Sequence, residues 1–427
     1  MSDAIVNGAR APLDTIPSGT PDVEGAPAKP TYFRKGFGLK AEVQPELESD
    51  YTGRLVDLLR ERDFSLTAGE VTVRLAKEFG FCYGVERAVD YAYQTRKKFP
   101  DRTIYLAGEI IHNPHVNSNL QAMGIRFLMP SNGKIDFSSV RPEDVVILPA
   151  FGVTLSDFEV LRSIGCVMVD TTCGSVLNVW KRVESYARDG FTSLIHGKYY
   201  HEETRATASQ AGKYPGAHYF IVRNMEEAKV VCEFIEGRLS ADALMDRFHH
   251  AVSPDFDPDR DLRRIGVANQ TTMLARESLA IGAEIGKAVA RAHGDDYAAA
   301  NFRTFDTICS ATQERQDAVV DLLKESLDAM VVIGGYNSSN TISLAALCSE
   351  SVSTYHVEDA DAIDAVRGTI KHRPLSGGEP VETSAWLPES GAIRVGVTAG
   401  ASTPNNKIGE AISHIFATRG LDPRSIR

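Results

Sequence analysis

Hydrophobic and polar positions change rhythm repeatedly along this chain, and one change of rhythm recurs at three cysteines. VTVRLA at 71–76 alternates with the period of two expected of a half-buried strand, and GFCYG then reads as a turn. After it, Val85, Ala88, Val89, Ala92 and Tyr93 fall on one face of a helix. The pattern predicts a strand, a turn holding Cys82, and a helix. It returns as CVMVD, TTC and VLNVWKRVESYARDG, with Cys173 in the turn and Gly190 closing the helix. It returns again as FRTFDTIC followed by SATQERQDAVVDLLKESL. There Cys309 takes the same place, Ser310 and Gln313 have capping-box spacing, and Ala318, Val319, Leu322 and Leu323 form the buried stripe.

Other strand-to-helix turns are polar instead. VGVANQTTMLARE, AMVVIGGYNSSNTISLAAL and IRVGVTAGASTPNNKIGEAI each put small hydroxyl or amide residues at a helix start. Such alternation predicts an α/β protein with mainly parallel sheets, whose sites lie at the carboxyl ends of the strands. YTGRLVDLLRERDF reads as a helical extension ahead of the first strand. Residues 233–263 and 372–390 read as surface insertions. The expected division is a tail and helical extension over 1–70, then α/β domains over 71–171 (Cys82), 172–305 (Cys173) and 306–427 (Cys309). The last segment is expected to return to the first domain.

With 427 residues, 43% hydrophobic and 24% charged, the chain can bury several cores, and the length suggests about three domains. Collagen, coiled coil and full disorder are excluded. A net charge of −11 argues against a primary nucleic-acid binder. No apolar run approaches the length of a membrane-spanning helix. The first thirty residues are rich in Pro, hold several acids and lack an apolar signal core, so they read as a mobile tail of a cytoplasmic protein.

Six cysteines without a CxxC make a disulfide framework improbable in so large a chain. Cys166 falls in a strand pattern, and Cys232 and Cys348 sit on helices among apolar neighbours, so these three read as core. Cys82, Cys173 and Cys309 differ. A thiol at a helix N-terminus feels the positive end of the helix dipole, which favours the thiolate that metals require. Three such turns from separate domains could converge on one ion or cluster, or be unrelated small residues. Three thiolates on an iron–sulfur cluster would leave one iron open to substrate. Three thiolates on zinc, with a water, would suit hydrolysis.

HGKYYHEETRATAS brings His196, His201, Glu202 and Glu203 after one strand, and GEIIHNPHVNSNL brings His112 and His115 after another. Either set could relay protons near neutral pH, or be ordinary hydrogen-bonded residues. NQTT, NSSN and AGAST are rich in donors and could hold a phosphate, or simply cap helices. No P-loop or dinucleotide fingerprint is present.

Taken together, GFCYGVERA, GEIIHN, DTTC, HGKYYHEETRATAS, ANQTTML, TICSATQERQDA, GGYNSSNT and VTAGAST resemble the 4-hydroxy-3-methylbut-2-enyl diphosphate reductases, the IspH/LytB family. The resemblance runs in matching order from about 31 to about 419, and YFRKGFG, PAFG, HEETRATAS and ANQTTML are similar to the cyanobacterial and plant-plastid branch. It implies a trefoil of three similar α/β domains around a central cluster. It also implies the last step of the non-mevalonate isoprenoid pathway, in which an allylic diphosphate is reductively dehydroxylated to isopentenyl and dimethylallyl diphosphate. Cys82, Cys173 and Cys309 match the ligands of a 4Fe-4S cluster with one open iron. Glu203 matches the acid that delivers protons, and Thr271 a threonine beside the substrate hydroxyl. His112, His201, Ser338, Ser339, Asn340 and Ser402 match diphosphate contacts. Ferredoxin or flavodoxin is the implied electron donor; neither nucleic acid nor membrane is an expected partner, and the oligomeric state is open. Arg96, Lys97 and Lys98 could dock such a carrier, or merely complement a helix C-terminus.

Two departures stand out. Where the commoner bacterial branch has an A-H-G motif, this chain has Ala150, Phe151 and Gly152, so one histidine contact to diphosphate is missing. Gly174 follows Cys173 where proline is usual. A rival class, a non-catalytic iron–sulfur sensor, would leave Glu203 and Thr271 without a role.

Overall fold

Three mainly parallel sheets build the protein, and the computed structural model describes residues 31–423. The assignment of residues 1–30 as a mobile tail lies outside the described residues. The first sheet runs in the order Tyr32–Phe33, Val167–Asp170, Val145–Leu148, Ile104–Leu106, Ile125–Phe127, all parallel. In the second, Phe302–Thr304, Ile265–Asn269, Thr192–His196 and Tyr219–Val222 lie side by side, also parallel. The third runs Thr354–Val357, Ala329–Ile333, Ile393–Ala399, Val71–Leu75, Ser65–Ala68, with only the last pair antiparallel. The fold is therefore α/β with mainly parallel sheets.

The central strands are buried on both faces, as in Val145–Leu148, Ile265–Asn269 and Ala329–Ile333, because helices cover each sheet on both sides. The cysteine turns are where the chain leaves one sheet for the next. Val71–Leu75 belongs to the third sheet, but the helix after Cys82, Tyr83–Lys98, buries Val85, Ala88 and Val89 against Ile104 and Val145 of the first. Val167–Asp170 belongs to the first sheet, while Gly174–Arg188 packs Val179, Val183 and Tyr186 on Ala268 of the second. Phe302–Thr304 belongs to the second, while Ser310–Leu322 packs Val319 and Leu322 on Met330 and Val332 of the third. Each cysteine marks a crossover, and we propose the division at 171/172 and 305/306 on that basis. In it, Val71–Leu75 pairs with Ile393–Ala399 from the far end of the chain.

Several local expectations need correction. The third helix has no capping box: Cys309 itself is the N-cap, its sulfur accepting from the Thr312 N–H at 3.3 Å, while Ser310 is exposed. A sulfur large enough to reach that N–H takes the place expected of the hydroxyl. The buried stripe of that helix is Thr312, Arg315, Gln316, Val319 and Leu322; Ala318 and Leu323 are only half-buried. NQTT and AGAST lie in loops ahead of their helices, which start at Ala275 and Asn405, whereas Ser338 is a true N-cap. Residues 233–263 are not a surface insertion, since Leu244, Phe248, Phe256 and Leu262 complete the core of the second sheet. Within 372–390 lies the strand Val381–Ser384 of a small antiparallel sheet, and Trp386 and Leu387 are buried. The N-terminal extension is two helices, Lys40–Tyr51 and Arg54–Glu61. Cys166 precedes its strand by one residue and is buried, as are Cys232 and Cys348. No helix among the described residues is long and apolar enough to cross a membrane.

Candidate active site

The three crossover cysteines all occupy the N-cap position of a helix, and of them Cys309 also accepts a hydrogen bond through its side chain. Cys82, Cys173 and Cys309 have extended backbones (ψ 163°, 142° and 146°), so the first turn of each helix points its free N–H groups toward the thiol. Gly174, in place of the usual proline, leaves this geometry unchanged and has open space around it. All six cysteines are free thiols.

Cys82 and Cys173 meet at Gly84. A Cβ on that glycine would lie 2.5 Å from the Cys173 sulfur and 3.9 Å from that of Cys82, so the missing side chain makes the room the sulfurs use. Cys309 lies close enough for the Cys82 charge to act on it. Burial pushes its thiol up to about 11 despite contacts from Thr312, and burial likewise raises Cys82. Three half-buried thiols gathered at three helix N-termini form a donor set suited to a cationic centre, which would hold them as thiolates. They fit an iron–sulfur cluster with three protein ligands.

Glu203 stands beside this set. It is 1% exposed, and Thr271 donates its N–H to the carboxylate at 2.6 Å. The Thr271 carbonyl in turn accepts from the Cys309 N–H at 3.3 Å, which fixes the acid relative to the thiol. Burial raises the Glu203 carboxyl to about 7, against the pull of the Thr271 donors toward the anion. A carboxyl poised there can give or take a proton near neutrality.

Next to it lies a polar chamber built from three sheets. His112 stacks on Phe151, with ring centroids 4.4 Å apart, and meets His201 edge-on at 5.1 Å. The third sheet contributes Ser402, whose hydroxyl donates to the His112 carbonyl at 3.1 Å and lies 3.5 Å from the Ser338 hydroxyl. Gly335 lets that loop press close, since a Cβ there would fall 2.5 Å from the His112 carbonyl oxygen. Asn340 accepts from the Ala401 N–H at 2.9 Å and reaches Thr312, the partner of Cys309. The Ser339 hydroxyl is buried without a hydrogen-bond partner, and His112 Nε2 has only the longer contact to Glu202 at 3.4 Å. Such atoms are what a polyanionic ligand would satisfy.

Charge in the chamber is uneven. Burial works against a charged His112, but Glu109, 2.8 Å from Nδ1, and Glu202, 3.4 Å from Nε2, outweigh it and raise the imidazole to about 9. Burial and the charge of His112 lower His201 to about 3. Burial alone would raise Glu202, yet the two histidines hold it at about 2. The two carboxylates thus favour the charged form of His112, while burial and that charge favour the neutral form of His201. Glu202, its side chain 43% exposed, is the counter-ion that an incoming anion could replace.

Every residue singled out for binding or acid–base work therefore meets at the carboxyl ends of strands, apart from two. His196 ends a strand inside the second core, bonded to Ser278 at 2.8 Å. His115 faces Tyr51 of the N-terminal extension. Arg96 donates to the carbonyls of Phe99, Pro100 and Arg102 and serves the helix C-terminus. Arg96, Lys97 and Lys98 sit at the opposite end of their helix from Cys82, about 20 Å along it. Glu109, Asn337 and Gln270 were missed. All three lay inside quoted motifs, and Asn337 donates to Glu109 at 3.1 Å. Gln270 accepts from Lys198 N–H and the Thr204 hydroxyl, bracing the loop that carries His201.

The chain also resembles known proteins. A family model described as LytB protein matches residues 73–416. A protein of Thermosynechococcus vestitus named 4-hydroxy-3-methylbut-2-enyl diphosphate reductase is 48% identical over 391 residues, covering 91% of this chain and 95% of its own. A relative from Gloeobacter violaceus with the same name is 48% identical over 395 residues, covering 91% and 93%. The fold is similar to the solved structure of the E-1-hydroxy-2-methyl-but-2-enyl-4-diphosphate reductase from Plasmodium falciparum, with a TM-score of 0.59 at 20% identity over 81% of this chain and 87% of that one. Cysteine turns, acid and polar chamber together lie within the matched span, and the chain belongs to the LytB family.

Proposed function

We propose that this protein is an iron–sulfur oxidoreductase, the 4-hydroxy-3-methylbut-2-enyl diphosphate reductase of the non-mevalonate isoprenoid pathway. The observation that carries the reading is the convergence of three thiols at helix N-termini, a buried acid and a polar chamber at one meeting point of three sheets. Cys82, Cys173 and Cys309 would hold a 4Fe-4S cluster. When bound, that cluster supplies the two electrons, taken one at a time from a ferredoxin or flavodoxin, and an open iron for the substrate hydroxyl.

The chain's own groups do the rest. His112, as a cation, and His201, as a neutral donor, bind the diphosphate with Ser338, Ser339, Asn340 and Ser402. The diphosphate displaces Glu202 as partner of His112. Phe151 gives no hydrogen bond but fixes the His112 ring by stacking. Glu203 delivers a proton to the departing hydroxyl, with Thr271 setting its direction. The allylic C–O bond breaks, two electrons and two protons enter, and water leaves, giving isopentenyl or dimethylallyl diphosphate. Free thiols throughout suit a reducing compartment, and we place the enzyme in the cytoplasm.

The test is iron, acid-labile sulfide and zinc per chain on protein purified without oxygen, followed by turnover of the allylic diphosphate with a one-electron donor. About four irons and four sulfides with product formation are expected. One zinc and no iron would overturn the reading.

A further inference from the structure

Each of the three helices that begin at a cysteine carries an arginine that reaches over to a different cysteine turn. Arg87, on Tyr83–Lys98, donates to the carbonyls of Thr171 and Thr172, the two residues before Cys173. Arg182, on Gly174–Arg188, lays its guanidinium 3.8 Å over the ring of Phe305, four residues before Cys309. Arg315, on Ser310–Leu322, donates to the carbonyls of Gly80 at 2.7 Å and Phe81 at 3.2 Å, just before Cys82. The first helix holds the second turn, the second holds the lead into the third, and the third holds the first. The contacts close into a ring.

None of the three arginines makes an ion pair with a carboxylate among the described residues. For Arg315 that is costly. It is 3% exposed, and a guanidinium removed from water needs more than neutral carbonyls to offset the lost solvation. The negative charge within its reach is that of the thiolates, and its charge acts on Cys82. The planar fork also explains the residue type, since it spans two successive carbonyls as an ammonium could not.

We propose that Arg87, Arg182 and Arg315 are positioning residues that lock the three cysteine turns to one another, and that Arg315 is the built-in counter-charge of the thiolate site. The proposal rests on the cluster reading above. A buried cation beside the cluster favours its reduced, more negative form, so removing the cation lowers the reduction potential. Loosening a turn lets a chelator strip iron faster.

The experiment compares the full chain, purified without oxygen, with R315Q, R315K, R87Q and R276Q. The readouts are the midpoint potential of the cluster and the rate of iron release to a chelator. R315Q is expected to shift the potential to more negative values and to release iron several-fold faster. R315K should restore the potential but not the release rate, because it keeps the charge and loses the fork. R87Q should release iron several-fold faster, and R276Q, whose partner is surface Glu350, should match wild type in both. A wild-type potential in R315Q overturns the counter-charge, and wild-type release from R315Q, R315K and R87Q overturns the ring. If R315Q does not fold, R315K alone decides the clamp. Wild-type protein without iron overturns the cluster reading and the counter-charge with it, a result visible before any variant is compared.

Discussion

Gly84 lacks a side chain where the Cys173 sulfur needs the space. A Cβ at 2.5 Å from that sulfur would force the Cys173 thiol to move, and the site depends on where that thiol stands. Gly84→Ala is therefore expected to leave the sheets folded but to cut iron per chain well below wild type, measured with circular dichroism as the control. Glu203 makes a second residue-scale prediction. Glu203→Gln keeps the size and the Thr271 contact but removes the proton, so turnover should fall by roughly 10²–10⁴, with KM and the cluster spectrum little changed. Because the carboxyl is raised to about 7, wild-type activity should decline as pH climbs through that value. The same sign governs stability. The folded-state value lies above the ordinary one near 4.5, so the contribution is complete below about 4.5 and is lost as pH rises through about 7. Denaturant titrations of wild type and Glu203→Gln across that window should diverge. Phe151 contributes by stacking, so Phe151→Ala should raise KM for the diphosphate several-fold while leaving kcat near wild type.

At the scale of the element, Cys309 has two tasks that substitution can separate. Serine at position 309 can still accept from the Thr312 N–H, whereas alanine cannot. Cys309→Ser should lose iron but keep the helix cap, and Cys309→Ala should lose both, unfolding about 1 kcal/mol more easily as apo-protein. Thermal melts of the two apo-variants check this. The elements were legible because a period of two giving way to a period of 3.6 across Cys82, Cys173 and Cys309 is a local signal. The cap at Cys309 was not, since Ser310 and Gln313 offered the commoner pattern and a thiol cap has no sequence signature of its own. Nor was the loop position of Thr271 and Ser402, because a polar run before a helix looks the same whether or not it caps.

For the whole molecule, what escaped the sequence was which sheet each strand joins. Parallel pairing links segments far apart, and nothing local in Val71–Leu75 says that its neighbour is Ile393–Ala399. Likewise Arg315 looked like one more polar position on a helix until its partners across the crossover were seen. Because the three turns meet at one place, the molecule should loosen there as a unit. Stripping the metal is expected to speed hydrogen exchange at residues 79–84, 171–175 and 306–311 together, while the central strands stay protected. Exchange rising at one turn alone would contradict this.

The pairing of Val71–Leu75 with Ile393–Ala399 also sets an order in time. On the ribosome the first hairpin emerges early, yet its neighbour in the sheet is the last strand to be made. The turn bearing Cys82 is held on one side by the helix packed on the first sheet, but the hairpin on its other side has no parallel neighbour until synthesis is nearly over. Cys173 can be set in place while the chain is still growing, whereas Cys82 and Cys309 both adjoin the third sheet, which is complete only once Ile393–Ala399 is made. Metal loading then becomes a step that follows translation, and an interrupted chain is left without a complete site to fill.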